Sequence, residues 1–220
     1  MKLNVNPIFK LIAQGEHQQQ DFKYCINDSR KIARSLVAFA NTDGGRLLIG
    51  VKDNGHIIGV RSEEEYYMVE AAAKIYSNPK IDFTTLQWDV EGKKVLEIMI
   101  ERSPLRPHFA QTETGNWVSF FRRDDENIVA NEVMLKFWML EKNKKGLFFK
   151  YDETRKIVID YLNEHDTITL SKFSKIAQIT RKEAEKILAE LLFIKCLQAG
   201  FDKNPVTYRL NKDFDIDNFI

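Results

Sequence analysis

The sequence predicts an α+β protein in two parts: strands and helices over residues 1–141, a linker at 142–151, and a small, mainly helical domain at 152–220. Three observations predict it. Apolar residues follow a helical period from Ser29 to Asn41, then give way to short apolar or alternating runs that read as strands. Asn54-Gly55, Glu91-Gly92 and the proline-bearing stretch Ser103 to Pro107 separate those runs as turns and loops. Beyond the polar, mostly basic run Glu141-Lys-Asn-Lys-Lys-Gly146, the pattern becomes predominantly helical.

The elements follow in order. Ile32, Ala33, Leu36, Val37 and Ala40 share one face of the first helix; Ser29 can cap its start, and Asn41-Thr42-Asp43-Gly44-Gly45 tolerates a left-handed exit. Arg46 to Val51 is too short and too apolar for a surface helix and reads as a buried strand, returned beside itself at Ile57 to Val60 by the Asn-Gly hairpin. Ser62-Glu-Glu-Glu65 is a capping box that opens a helix through Tyr76, ended by Asn78-Pro79. Phe83 to Val90 and Lys94 to Glu101 form two strands, Asn116 to Arg122 a third, and Ile128 to Leu140 a helix. In the second domain, helices are expected over Asp152 to Glu164, Leu170 to Ala177 and Thr180 to Phe193. Two short strands, Ile194 to Ala199 and Val206 to Leu210, flank Asp202-Lys-Asn-Pro205. Three helices followed by a two-stranded wing resemble a winged helix.

With 44% hydrophobic and 30% charged residues the chain has an ordinary globular balance and ample core material. Its net charge of +1 means that any binding to nucleic acid must come from a local patch. Cys25 and Cys196 have no metal-ligand spacing and suit a reducing cytoplasm. No stretch is apolar enough to span a membrane and the N-terminus lacks a signal-peptide core, so a soluble cytoplasmic protein is expected.

Two segments carry a resemblance: Glu16-His-Gln-Gln-Gln-Asp21-Phe-Lys23, and Phe39-Ala-Asn-Thr-Asp-Gly-Gly45 running into Gly50-Val51-Lys52-Asp53. Together they resemble the Alba-like domain of the Schlafen family, over about residues 9 to 140. The resemblance implies an Alba-like mixed sheet and, from the family's ribonuclease members, a metal-dependent cleavage site. In ribonuclease members the positions of Glu16, Asp21 and Asp53 bind a divalent metal, magnesium or manganese, and cut RNA; hard carboxylate oxygens suit such ions. Position 21 holds Asp where the family usually has Glu, one methylene shorter. The Schlafen core also resembles two such lobes around a groove, so a homodimer of this single lobe could rebuild it.

The residues themselves add constraints. Alternation places Asp21 and Lys23 on one strand face with Phe22 in the core, so Glu16 can join Asp21 only from a turn or bulge before the strand. Lys23, Arg46, Lys52, Arg106, Arg122 and Arg123 fall on strand ends or loops and form the expected nucleic-acid surface. Phe109, Trp117, Phe120 and Phe121 could offer stacking faces, although core positions are the expectation for most of them. Asp124 and Asp125 quench part of that charge. No phosphate-binding Gly-x-x-x-x-Gly-Lys-Ser/Thr loop is present, so ATP is not expected. The four histidines are scattered and expected to be solvated. In the second domain Thr180, Arg181, Lys182 and Lys186 would front a recognition helix. Residues 151–220 hold eleven Lys plus Arg against twelve Asp plus Glu, so protein contact or dimerisation is a nearly equal reading for that domain. Nucleic-acid binding by a transcriptional regulator leads, with metal-dependent nuclease and interaction module as alternatives.

Overall fold

Four strands organise the first unit, and their order is set by two apolar layers on opposite faces. The computed structural model describes residues 6–143, 146–200 and 205–214. The chain divides into two units, Met1–Ala130 and Asn131–Ile220.

Unit one begins with a short helix α1 (Ile8–Ile12), strand β1 (Gln20–Lys23), helix α2 (Ser29–Asn41), strand β2 (Gly45–Ile49) and helix α3 (Glu64–Lys74). Strands β3 (Ser77–Asn78), β4 (Thr84–Val90), β5 (Lys93–Ile100), β6 (Phe109–Gln111), β7 (Trp117–Val118), β8 (Phe120–Arg123) and β9 (Glu126–Val129) follow. The main sheet runs β1-β2-β5-β4, with β1 and β2 parallel and the other pairs antiparallel, so it is mixed. One face carries Leu47, Ile49, Leu96, Ile98 and Ile100 against the apolar stripe of α2 and Val69, Ala72 and Ala73 of α3. The other carries Phe22, Leu48 and Val95, covered by Ile8 of α1. Strand β4 is an edge strand.

Several boundaries differ from the sequence reading. Asp28, not Ser29, caps α2, its carboxylate accepting the Arg30 N–H at 2.8 Å. The hairpin return from Asn54-Gly55 is a single bridge, Val51 to Ile57, because Ile58 and Gly59 turn their amides onto the Gly50 carbonyl. Ser119 interrupts the strand read at Asn116 to Arg122, leaving β7 and β8 in different sheets. Ile128 and Val129 belong to β9, paired with β8, and not to a helix.

Unit two holds α4 (Glu132–Lys142), α5 (Glu153–Glu164), β10 (Ile168–Thr169), α6 (Leu170–Ile176), α7 (Arg181–Phe193), β11 (Leu197–Gly200) and β12 (Thr207–Leu210), the strands ordered β10-β12-β11. The boundary thus falls at Ala130 rather than at 141. Asn131 caps α4 and donates to the Tyr208 hydroxyl at 3.2 Å, and Lys136 of α4 reaches Glu185 of α7 at 3.1 Å, so α4 packs with the C-terminal elements. Asp152 and Thr180 cap α5 and α7. Lys144 and Lys145 of the expected linker and residues 202–204 of the expected turn lie outside the described residues.

Candidate functional site

The carboxylates meet through a tight turn. His17 and Gln20 exchange backbone hydrogen bonds of 2.9 and 3.0 Å, folding the chain back so that Glu16 lies beside β1, as a bend before the strand required. The Glu16 carboxyl accepts the Phe22 N–H at 2.8 Å and is hydrogen-bonded to Asp21. Asp21, 3% exposed, receives Lys23 Nζ at 2.9 Å on one oxygen. Its other oxygen receives Ser35 Oγ at 3.1 Å, with Arg122 at 3.8 Å. Burial, then the hydrogen bond to Asp21, raise the Glu16 carboxyl to about 7. Burial alone would raise Asp21 too, but the hydrogen bond from Glu16 and the charges of Lys23 and Arg122 outweigh it and hold Asp21 below its ordinary value. The two shifts run in opposite directions, so of the two carboxyls Glu16 is the one that keeps a proton to higher pH.

A divalent ion does not fit these residues. Asp53 is exposed on its hairpin, and among the described residues no three His, Cys, Asp or Glu side chains are grouped to hold a metal. The expected trio of Glu16, Asp21 and Asp53 is thus a pair. Both Asp21 oxygens are already engaged, and two cations already face one carboxylate, so a dication would meet net positive charge.

The end of α2 is a polar clamp. Asn41, 1% exposed, donates its amide to the His108 carbonyl (3.0 Å), Ser119 Oγ (3.1 Å) and the Phe120 carbonyl (2.8 Å), and accepts the His108 N–H at 2.7 Å. Thr42 Oγ1 accepts the Arg122 N–H at 2.8 Å. Gly44, at φ +71, has room for no Cβ, which would stand 2.7 Å from the Ile100 carbonyl oxygen.

This clamp corrects several expectations. Arg122 is 2% exposed: its guanidinium donates to the Gln20 carbonyl (3.1 Å) and Asn127 Oδ1 (3.1 Å) and lies over the Phe39 ring. Arg106 is buried with a contact to the Asn41 carbonyl. Neither guanidinium can face a phosphate. Lys23 is held by Asp21 and the Phe22 carbonyl, Arg46 by buried Glu97 at 3.2 Å, and Arg123 by Glu126. His108 is buried rather than solvated, its ring nitrogens meeting the Pro79 carbonyl and Ser103 Oγ. Phe120 and Phe121 are core, and Trp117 is 44% exposed.

Among the cations expected in unit one, Lys52 stands open, and backbone pairing brings Arg61, Lys93 and Lys94 to the same end of the sheet. Lys93 Nζ donates to the Ile57 carbonyl at 2.8 Å, and the Val60 N–H donates to the Lys94 carbonyl at 2.7 Å. Those bonds tie the hairpin from Lys52 and the irregular segment leading to Arg61 onto the start of β5. All four side chains are exposed, and among the described residues none is in an ion pair. Arg61, Lys93 and Lys94 lie in no sequence motif; only the long-range pairing of residues 57–60 with 93–94 brings them to the end of the sheet that carries Lys52.

Two openings flank β4. The larger, about 760 Å³, lies over the face that α1 leaves uncovered, bordered by His17, Gln19, Arg46, Thr84, Met99 and Arg102, but also by Asp43, Asp82 and Glu101. The smaller, about 410 Å³, lies between α3 and the opposite face of β4, next to Arg61 and Lys94.

The model of the family described as Schlafen, AlbA_2 matches residues 16–131, just over half of the chain. The chain belongs to this Schlafen AlbA_2 family. The match starts at Glu16 and ends one residue past unit one. A comparison with curated proteins finds no match. Among solved structures, the DIP2311 protein from Corynebacterium diphtheriae is similar at 17% identity and TM-score 0.42, over 57% of this chain and 28% of that one. The N-terminal domain of a RecG-related protein from Nitrosomonas europaea is similar at 22% identity and TM-score 0.39, over 53% of this chain and 84% of that one. This chain therefore spans little more than a quarter of the first neighbour's length.

Unit two lies almost wholly outside the Schlafen AlbA_2 match. On α7, Arg181, Lys182 and Lys186 are exposed, but Ile187 through Leu192 are all buried, and Glu185 and Glu190 are held by Lys136 and Arg155. Only the first turns of that helix present side chains outward. No helix among the described residues is long and apolar enough to cross a membrane.

Proposed function

We propose that this Schlafen AlbA_2 protein binds nucleic acid through the open basic end of unit one. The observation that carries this reading is that backbone pairing brings Lys52, Arg61, Lys93 and Lys94 to one end of the sheet, where all four are exposed and outside any ion pair among the described residues. A phosphate that meets such cations displaces only counterions, whereas at Lys23 or Arg46 it would have to displace a carboxylate. Binding without hydrolysis is the expected outcome, since the Glu16–Asp21 pair lacks a third carboxylate and has its charge already matched.

In its finer form the reading is a cytoplasmic transcriptional regulator that works as a homodimer, two single lobes making one groove. Its unit two is a winged helix: helix, short strand, two helices and a hairpin follow in that order. With α7 buried from Ile187 to Leu192, only its first turns are open to a ligand; Arg181 there is paired with Glu185 at 3.2 Å, so Lys182 is the freer of the two for a phosphate, and protein contact is the alternative role for that unit. Fluorescence anisotropy with labelled single-stranded and duplex oligonucleotides at rising salt tests the binding. Affinity should fall steeply with salt; no binding at low salt would refute the reading. Light scattering of the full chain tests the dimer, which a monomer at high concentration would exclude.

A further inference from the structure

Tyr66 and Tyr67 stand on the first turns of α3, 36% and 60% exposed, although rings of this size usually find cover. Their positions are fixed from behind. The buried Glu65 carboxylate accepts the backbone N–H groups of Arg61 and Ser62, at 3.2 and 3.0 Å, which locks the approach to the helix. Tyr66 packs edge-to-face with Phe83 (centroids 6.3 Å) and with Tyr67 (5.7 Å, 78° between planes). The Tyr66 and Tyr67 rings form one wall of the opening of about 410 Å³. Thr85 and Gln87 of β4 form the opposite wall, both exposed and offering hydrogen-bond donors and acceptors. Arg61 and Lys94 border the same opening; Glu63 is the one carboxylate there.

A groove with rings on one side, amide and hydroxyl groups on the other and unpaired cations at hand matches an unstacked nucleotide. Rings take the base face, polar side chains its edge, and cations the phosphate. A duplex hides its base faces, so such a groove discriminates against it. We infer that the groove between α3 and β4 accepts an unpaired base stacked on Tyr66 or Tyr67, making the protein a reader of single-stranded nucleic acid. This rests on the nucleic-acid reading above and narrows its substrate class.

The test is anisotropy on the full chain with a fluorescein-labelled single strand of about twelve nucleotides, a length within the usual site size, and with the corresponding duplex. Wild type should bind the single strand more tightly. Tyr67→Ala, at the more exposed ring, and the double variant Tyr66→Ala/Tyr67→Ala should each weaken that binding, the double by about tenfold or more. Tyr66→Phe/Tyr67→Phe should keep it, because stacking needs the ring and not the hydroxyl; circular dichroism confirms that each variant folds. Binding that the alanine variants leave unchanged, or equal affinity for duplex, overturns this inference and leaves the nucleic-acid reading intact. No binding of either probe at low salt overturns both.

Discussion

Unit one holds its charges in two different ways. Around α2 and β1, Glu16, Asp21, Lys23 and Arg122 form a closed cluster in which every charge has a partner and Arg122 sees almost no solvent. At the start of β5, Lys52, Arg61, Lys93 and Lys94 are exposed and outside ion pairs. The first set lies largely in the segments by which the family is recognised, whereas the second, Lys52 apart, lies beyond them. Sequence prominence therefore marks the residues that build the domain, while the surface open to a charged ligand is assembled by tertiary pairing.

The largest effect should come from breaking the closed cluster. Arg122→Met removes a buried guanidinium and leaves Asp21 and the Gln20 carbonyl short of partners, so unfolding free energy should fall by about 3–5 kcal/mol in a denaturant titration. Asn41→Leu should cost about 2–4 kcal/mol by the same measurement, because the His108 N–H and the groups bonded by the amide lose their partner in the interior. A change under about 1 kcal/mol for either would mean that the cluster is not structural.

Next comes a pH effect. The folded-state value of Glu16, about 7, lies above its ordinary 4.5, so the folded state holds a proton that the unfolded state releases. Its contribution is full below about 4.5 and is lost as pH rises through 7. Asp21 acts oppositely, losing its contribution only as pH falls through its lowered value. Glu16→Gln mimics the protonated acid and should match wild type near pH 5, then become the more stable of the two by pH 8. Thermal melts across that range check it; parallel curves would place that proton elsewhere.

Much of this layout was legible in the sequence. The helical period of residues 29–41, the Asn-Gly turn and the alternation around Phe22 led to the sheet, to the shared face of Asp21 and Lys23, and to the bend that brings Glu16 in. What failed were positions whose burial depends on distant strands. Arg122 and Arg106 read as surface cations because nothing local shows that Asn41 and Phe39 lie beneath them. Ile128 and Val129 fit a helical period but pair with Phe121 and Phe120. Asp53 looked ligand-like beside Val51, yet its hairpin carries it outward.

The smallest effect on stability should come from the open set, and it bears most directly on function. Arg61→Ala/Lys94→Ala should change unfolding free energy by no more than about 0.5 kcal/mol, as for exposed residues without partners. The decisive measurement is the slope of log affinity against log salt for a single-stranded oligonucleotide, compared between this variant, wild type and Arg102→Ala at the carboxylate-bordered cleft. Binding through the basic end predicts a slope smaller by roughly 1 to 2 for Arg61→Ala/Lys94→Ala and an unchanged slope for Arg102→Ala. An unchanged slope for the double variant, with a reduced one for Arg102→Ala, would contradict it and place the ligand in the larger cleft.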